Sequence, residues 1–283
     1  MNILDSFSVE VLPKTAAKIE DFHALFPPNT QIYIANVVGT PFSIMLDTSK
    51  RIQRQGFTVV PHLLARTIPD KSALANQLSQ YQNEAGVNQL LLIAGGAKQH
   101  YGEFESTLDL LATGLFDKFS FKSLHFAGHP EVNFDIDPDR GTYNADQALA
   151  LKQDFAQRTD AEVSLITQFG FNHQTVIDWL FRVSQLGIDL PVKIGVTGPT
   201  KIQTLLKYAI ACGVGASISV LQKKASSVTK LLTPFEPVEF LDQLSQELIT
   251  QQIPLFSGIH FFPLGGIQAC SDWIKSNQHR YIN

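Results

Sequence analysis

Eight short, apolar, β-rich segments alternate with helical patterns along this chain, and that alternation narrows its fold more than any other feature. Strands are expected near Phe7–Leu12, Gln31–Val37, Thr58–Leu64, Gln89–Ala94, Ser123–Ala127, Val163–Phe169, Val192–Val196 and Gly258–Phe262. Between them, a helix opens at Asp70, a residue suited to an N-cap. Glu105–Thr113 with Leu108, Leu111 and Leu115, Asn144–Ala156 with Ala148, Leu151 and Phe155, and Thr175–Leu186 with Val176, Trp179, Leu180 and Val183 carry helical spacing. Eight strands alternating with helices predict a parallel sheet, and eight is the number that closes a (β/α)₈ TIM barrel. The 283 residues suit one such domain spanning 1–283, with Pro199–Gln252 read as an enlarged final crossover.

Composition excludes several function classes. Hydrophobic residues make up 44% and charged residues 17%, enough for a large core and unlike a disordered chain. The net charge is −4 and no basic cluster occurs, which argues against a nucleic-acid partner. Met1 to Thr15 lacks a basic segment followed by an apolar one, so no secretory signal is expected. No apolar run is long enough to span a bilayer. Cys212 and Cys270 stand alone, as reduced thiols of a cytoplasmic protein would, although a disulfide between them stays open.

A TIM barrel places its chemistry at the C-terminal ends of its strands. Those ends carry Glu10, Pro61-His62, Gly95-Gly96, Gly128-His129-Pro130-Glu131, Thr167-Gln168, Gly195 to Pro199, and Pro263 to Gly266. Glu10 stands between Val9 and Val11, where a carboxylate is expensive to bury. Either it faces solvent, or desolvation raises its pKa and suits it to general acid work. Gly95-Gly96 is either a turn or floor space for a flat ligand; the run that follows lacks the dinucleotide fingerprint.

His62, His129, Glu10 and Glu131 could form a metal site, but no His-x-His or H-E-x-x-H spacing supports it. His125 and His260 fall inside strands and read as satisfied interior residues. Asp135 to Gly141 begins like a calcium loop, yet Arg140 and Asp146 occupy the places that need Gly and Glu. The Gln168 amide suits the edge of a heteroaromatic ring, and Phe169 and Phe171 either stack on such a ring or fill the core. No nucleophile elbow and no Walker A run is present.

Taken in order, five segments resemble the methylenetetrahydrofolate reductases. They are Phe7-Ser-Val-Glu-Val-Leu-Pro13, Pro61-His62-Leu63, Ala127-Gly-His-Pro-Glu131, Ile166-Thr-Gln-Phe-Gly-Phe171 and Gly258-Ile-His-Phe-Phe-Pro-Leu264. The resemblance implies a TIM barrel holding FAD, with hydride passing from NADH or NADPH to a tetrahydrofolate derivative. It implies that Glu10 protonates the folate and that Gln168, Phe169 and Ile202 lie at the substrate. It places His62, Gly95, Gly96, Ala97, Phe104 and His129 at the cofactor. The chain departs from that pattern at Gly95-Gly96-Ala97, where the family has Arg-Gly-Asp, and at Asp154 and Leu264-Gly265-Gly266. The expected flavin shell is therefore less complete than the pair Glu10 and Gln168. Two other readings stand beside it: a metal-dependent barrel lyase or hydrolase using His62, His129 and Glu131, and a non-catalytic folate-binding protein.

Overall fold

The computed structural model describes residues 2–211 and 234–281. Its strands are β1 (Phe7–Val11), β2 (Gln31–Ile34), β3 (Thr58–Leu64), β4 (Gln89–Ile93), β5 (Ser123–Gly128), β6 (Glu162–Phe169), β7 (Val192–Thr197) and β8 (Phe256–Phe262). They hydrogen-bond in chain order, β1 through β8, as a closed barrel. The expected (β/α)₈ architecture is therefore the observed one. The helices among the described residues are α1 (Pro13–Ala16), α2 (Phe42–Gln53), α3 (Lys71–Ala85), α4 (Thr107–Ala112), α5 (Leu115–Lys118), α6 (Tyr143–Ala156), α7 (His173–Gln185), α8 (Ile202–Ala211), α9 (Val238–Thr250) and α10 (Ile267–Asn277). Of the stretch read as an enlarged crossover, α8 and α9 are seen; residues 212–233, with Cys212, lie outside the described residues.

Local chemistry explains where the elements begin and end. Asp70 caps α3 by accepting from Ala73 N–H at 2.8 Å. Gly86 ends that helix in the left-handed region at φ 64°, where a side chain is unfavourable. Its N–H donates to Gln82 O, and that of Val87 to Tyr81 O. The helix expected over Glu105–Thr113 is shorter and split. Ser106 and Asp109 form a capping box at the start of α4. Gly114, at φ 67°, then turns the chain before α5, so Leu115 belongs to a separate helix. Strand β2 stops at Ile34, three residues before the expected end, and Val37 and Val38 are exposed. Gly39, at φ 92°, and Pro41 at the cap of α2 divert the chain there.

The chain divides into two compact units. One comprises Ser8–Ala127 and Leu151–Leu165; the other comprises Met1–Phe7, Gly128–Ala150 and Ile166–Asn283. In the first, β1 pairs with β2, β2 with β3, β3 with β4 and β4 with β5, all parallel. Val9, Ile32, Ile34, Val59, Leu90, Leu92, Leu124 and Phe126 are buried at 0–1% exposure. Two side-chain contacts reveal the other face of these strands. Gln31 on β2 donates to Gln89 on β4 at 2.8 Å, and Glu10 on β1 meets His62 on β3. Each pair skips a strand, so the contacts cross the interior and these residues face it.

In the second unit, β7 and β8 pair from Val192↔Phe256 to Thr197↔Phe262, with one register shift after Val192. Gly195 is required by close approach: a Cβ there would lie 2.4 Å from Thr167 O, and its N–H donates to Thr167 Oγ1 at 2.8 Å. Helix α7 buries Val176, Ile177, Trp179, Leu180 and Val183, the face its sequence spacing predicts. Cys270 on α10 is a buried free thiol.

Candidate active site

Strand β1 supplies the first polar group of the site. Its pleat sends Val9 and Val11 to the buried side and Glu10 to the interior. Glu10 Oε2 lies 3.4 Å from His62 Nε2, with 21% of the glutamate side chain and 7% of the histidine side chain exposed. Burial raises the carboxyl pKa above its ordinary 4.5, and the nearby His62 partly offsets that shift. Part of the carboxyl thus stays open to solvent although burial strips most of its hydration. Desolvation favours the neutral carboxyl, the form able to donate a proton.

Below this pair lies a polar layer that sequence reading anticipated only as satisfied histidine. His125 on β5 is buried at 5% exposure. Its Nδ1 is 2.7 Å from Ser164 Oγ and its Nε2 is 3.3 Å from Gln89 Oε1. Gln89 Oε1 also accepts from Gln31. An amide oxygen only accepts, so His125 donates through Nε2 and takes the Ser164 hydroxyl at Nδ1. Tyr33 of β2, fully buried, makes ring contacts with both His62 and His125. Sequence reading did not single out Tyr33; its place opposite Glu10 in the β1–β2 register was the signal, visible only once the strands are paired.

The glycine turn after β4 has a definite internal reason. Gly95 adopts φ 95°, and a Cβ on it would press on Leu64 at 3.3 Å. Arg66 fastens the turn, donating to Gly95 O at 3.3 Å, Ala97 O at 3.0 Å and Glu105 O at 3.0 Å. Gly96 is different: a Cβ there meets nothing within 4 Å. Phe104, expected beside a cofactor, is buried at 5% exposure. A charge sits near the outer face of β5, where Lys152 of α6 places Nζ 5.3 Å from the Phe126 ring. Burial lowers the Lys152 pKa to about 8.

In the second unit, Gln168 stands on β6, and its Oε1 accepts from Phe169 N–H at 3.1 Å, folding the amide back on its own strand. Phe169 is in edge contact with Phe171 and Phe262, within a cluster that includes Leu205. Ile202 is buried at the start of α8, and His129 follows the end of β5. His260 on β8 is fully buried, and burial with the charge of Lys193 lowers its pKa to about 3. The acidic loop after β5 caps a helix: Asp137 Oδ1 and Oδ2 accept from the N–H groups of Asn144 and Ala145. Among the described residues no group of three or more His, Cys, Asp or Glu is placed to hold a metal ion. No helix among them is long and apolar enough to cross a membrane.

No family model matches the chain. A dihydropteroate synthase (FolP) from Thermus thermophilus is similar at 12% identity and a TM-score of 0.48, covering 98% of this chain and 96% of that one. A 7,8-dihydropteroate synthase from Vibrio fischeri is similar at 13% identity and a TM-score of 0.46, covering 98% and 94%. These findings correct the resemblance to methylenetetrahydrofolate reductases, since no model of that family matches and these solved neighbours are synthases. The oxidoreductase assignment is overturned with it, and the flavin and nicotinamide expectations lose the resemblance that carried them. The lyase or hydrolase reading and the non-catalytic reading gain nothing in its place.

Proposed function

We propose that this chain is an enzyme acting on a tetrahydrofolate-type ring, with Glu10 as general acid in a group-transfer step. The observation that carries the reading is the Glu10–His62 pair: a desolvated, partly exposed carboxyl 3.4 Å from an imidazole inside the barrel. Moving a carbon group off a ring nitrogen breaks a C–N bond, and that nitrogen must take a proton as the bond goes. A neutral carboxyl supplies it, and the adjacent imidazole takes the proton that the attacking amine or thiol loses and passes it to the carboxylate. The acceptor of the group is a nucleophile such as an amine or a thiol. The raised carboxyl pKa keeps more of this acid protonated, and so available, as pH rises toward neutral.

The test is release of the nitrogen substituent from an N-substituted tetrahydrofolate in the presence of amine or thiol acceptors, followed by chromatography. The wild-type protein is expected to release it, and Glu10→Gln to do so about 10²–10⁴-fold more slowly. Equal rates for the two proteins, or no release by either, would overturn the reading.

A further inference from the structure

The Glu10–His62 contact reaches over β2, and the residue of β2 at that height is Tyr33. Tyr33 pairs in register with Glu10 and has no exposed surface. Its ring meets His62 edge-on, with centroids 6.4 Å apart and planes at 75°. It also meets His125, at 5.5 Å and 55°. The Tyr33 ring thus meets two polar groupings of the same interior, one of them containing His62. That one is His62 with Glu10 on β1. The other is the cluster of His125 on β5, Gln89 on β4, Gln31 on β2 and Ser164 on β6. Leu91, the register partner of His62 on β4, adds only apolar surface. A His62 ring that turned toward the second grouping would carry its Nε2 away from Glu10.

We infer that Tyr33 is the positioning residue of the pair, its ring holding His62 at Glu10 and separating it from the polar cluster around His125. The side chain has the properties the task needs. It is rigid, with two side-chain torsions, and aromatic edge-to-face contact has a directional preference that an aliphatic group lacks. Its phenol is also driven toward the neutral form by burial, so it adds no competing charge beside Glu10. This inference rests on the reading of Glu10 and His62 as the reacting pair.

The test reads the pair itself rather than turnover. In protein carrying ¹³C-labelled glutamate and ¹⁵N-labelled histidine, the Glu10 carboxyl and the His62 ring nitrogens are followed by NMR as pH is varied. In wild type the His62 signals are expected to respond to the Glu10 titration, with nuclear Overhauser contacts from Tyr33 to His62. Tyr33→Phe keeps the ring and is expected to preserve both. Tyr33→Leu is expected to uncouple the signals and to move the Glu10 midpoint upward, because the lowering influence of His62 is lost. Tyr33→Met fills a similar volume without a ring face, and serves with the same readouts if Tyr33→Leu does not fold. Coupling and midpoint unchanged in Leu or Met would reduce Tyr33 to core filling. Uncoupling in Tyr33→Phe, or no Tyr33–His62 contact in wild type, would equally overturn the inference. A failure of the proposed reaction, with Glu10→Gln as fast as wild type, leaves these titrations readable and so is told apart.

Discussion

Glu10 concentrates most of what a single residue contributes here. Its carboxyl is held above the ordinary 4.5, so the folded chain binds a proton that the unfolded chain releases as pH rises past that value. Stability therefore falls with rising pH from about the unfolded pKa until the folded one is passed. Glu10→Gln removes this loss. Its melting temperature is expected to match that of wild type in acid below 4.5 and to exceed it increasingly as pH rises above 4.5. Melting curves across that range check the sign; a variant less stable than wild type at neutral pH would mean that the ionised carboxylate stabilises the fold. The residue scale also shows what sequence made legible. A lone carboxylate between valines marked Glu10, and a histidine late in a strand marked His62. That both lie at one barrel mouth was legible; their direct pairing was not, because it skips a strand and depends on how the interior faces align. Gly95 and Gly96 looked alike in sequence, yet only Gly95 has a positive φ.

Between elements, the contact of α6 with β5 has a charge where an apolar group would serve. Lys152 is 7% exposed and lies over Phe126, with its pKa lowered to about 8 by burial. At neutral pH the folded state holds a desolvated ammonium, and between pH 8 and the ordinary 10.5 the unfolded chain binds more protons than the folded one. Stability from this group thus rises with pH across that window. Lys152→Met is expected to stabilise the protein at neutral pH by on the order of 1–3 kcal/mol, discounted for the lost ring contact. Denaturant unfolding measures it: the gain should shrink as pH rises from 8 toward 10.5. A destabilised variant at neutral pH would show that the ammonium–ring contact outweighs desolvation. Elements were legible where end signals are local, as at Asp70 and Gly86 of α3. They were misjudged where apolar residues continue past a turn, as at Val37 after β2 and Leu115 after Gly114, because periodicity does not register a left-handed residue.

Across the whole molecule, the barrel order followed from alternation of strand and helix patterns, since parallel neighbours need a crossover each time. The chemistry did not follow from motif likeness in the same way. Phe7 to Pro13 and Ile166 to Phe171 carry residues that any strand–loop boundary of a barrel favours, with apolar positions outward and a polar group inward. Such segments can match a family in order while the family model does not match the chain. What survives is the physical content of one position: a carboxyl that strand β1 turns inward and whose pKa burial raises. The most direct measurement is calorimetric titration of tetrahydrofolate into wild type and Glu10→Gln at neutral pH, in two buffers of different ionisation enthalpy. The account predicts that both proteins bind, that wild type exchanges protons with the buffer on binding, and that Glu10→Gln loses this exchange. No binding by wild type, or the same proton exchange in both proteins, would contradict it.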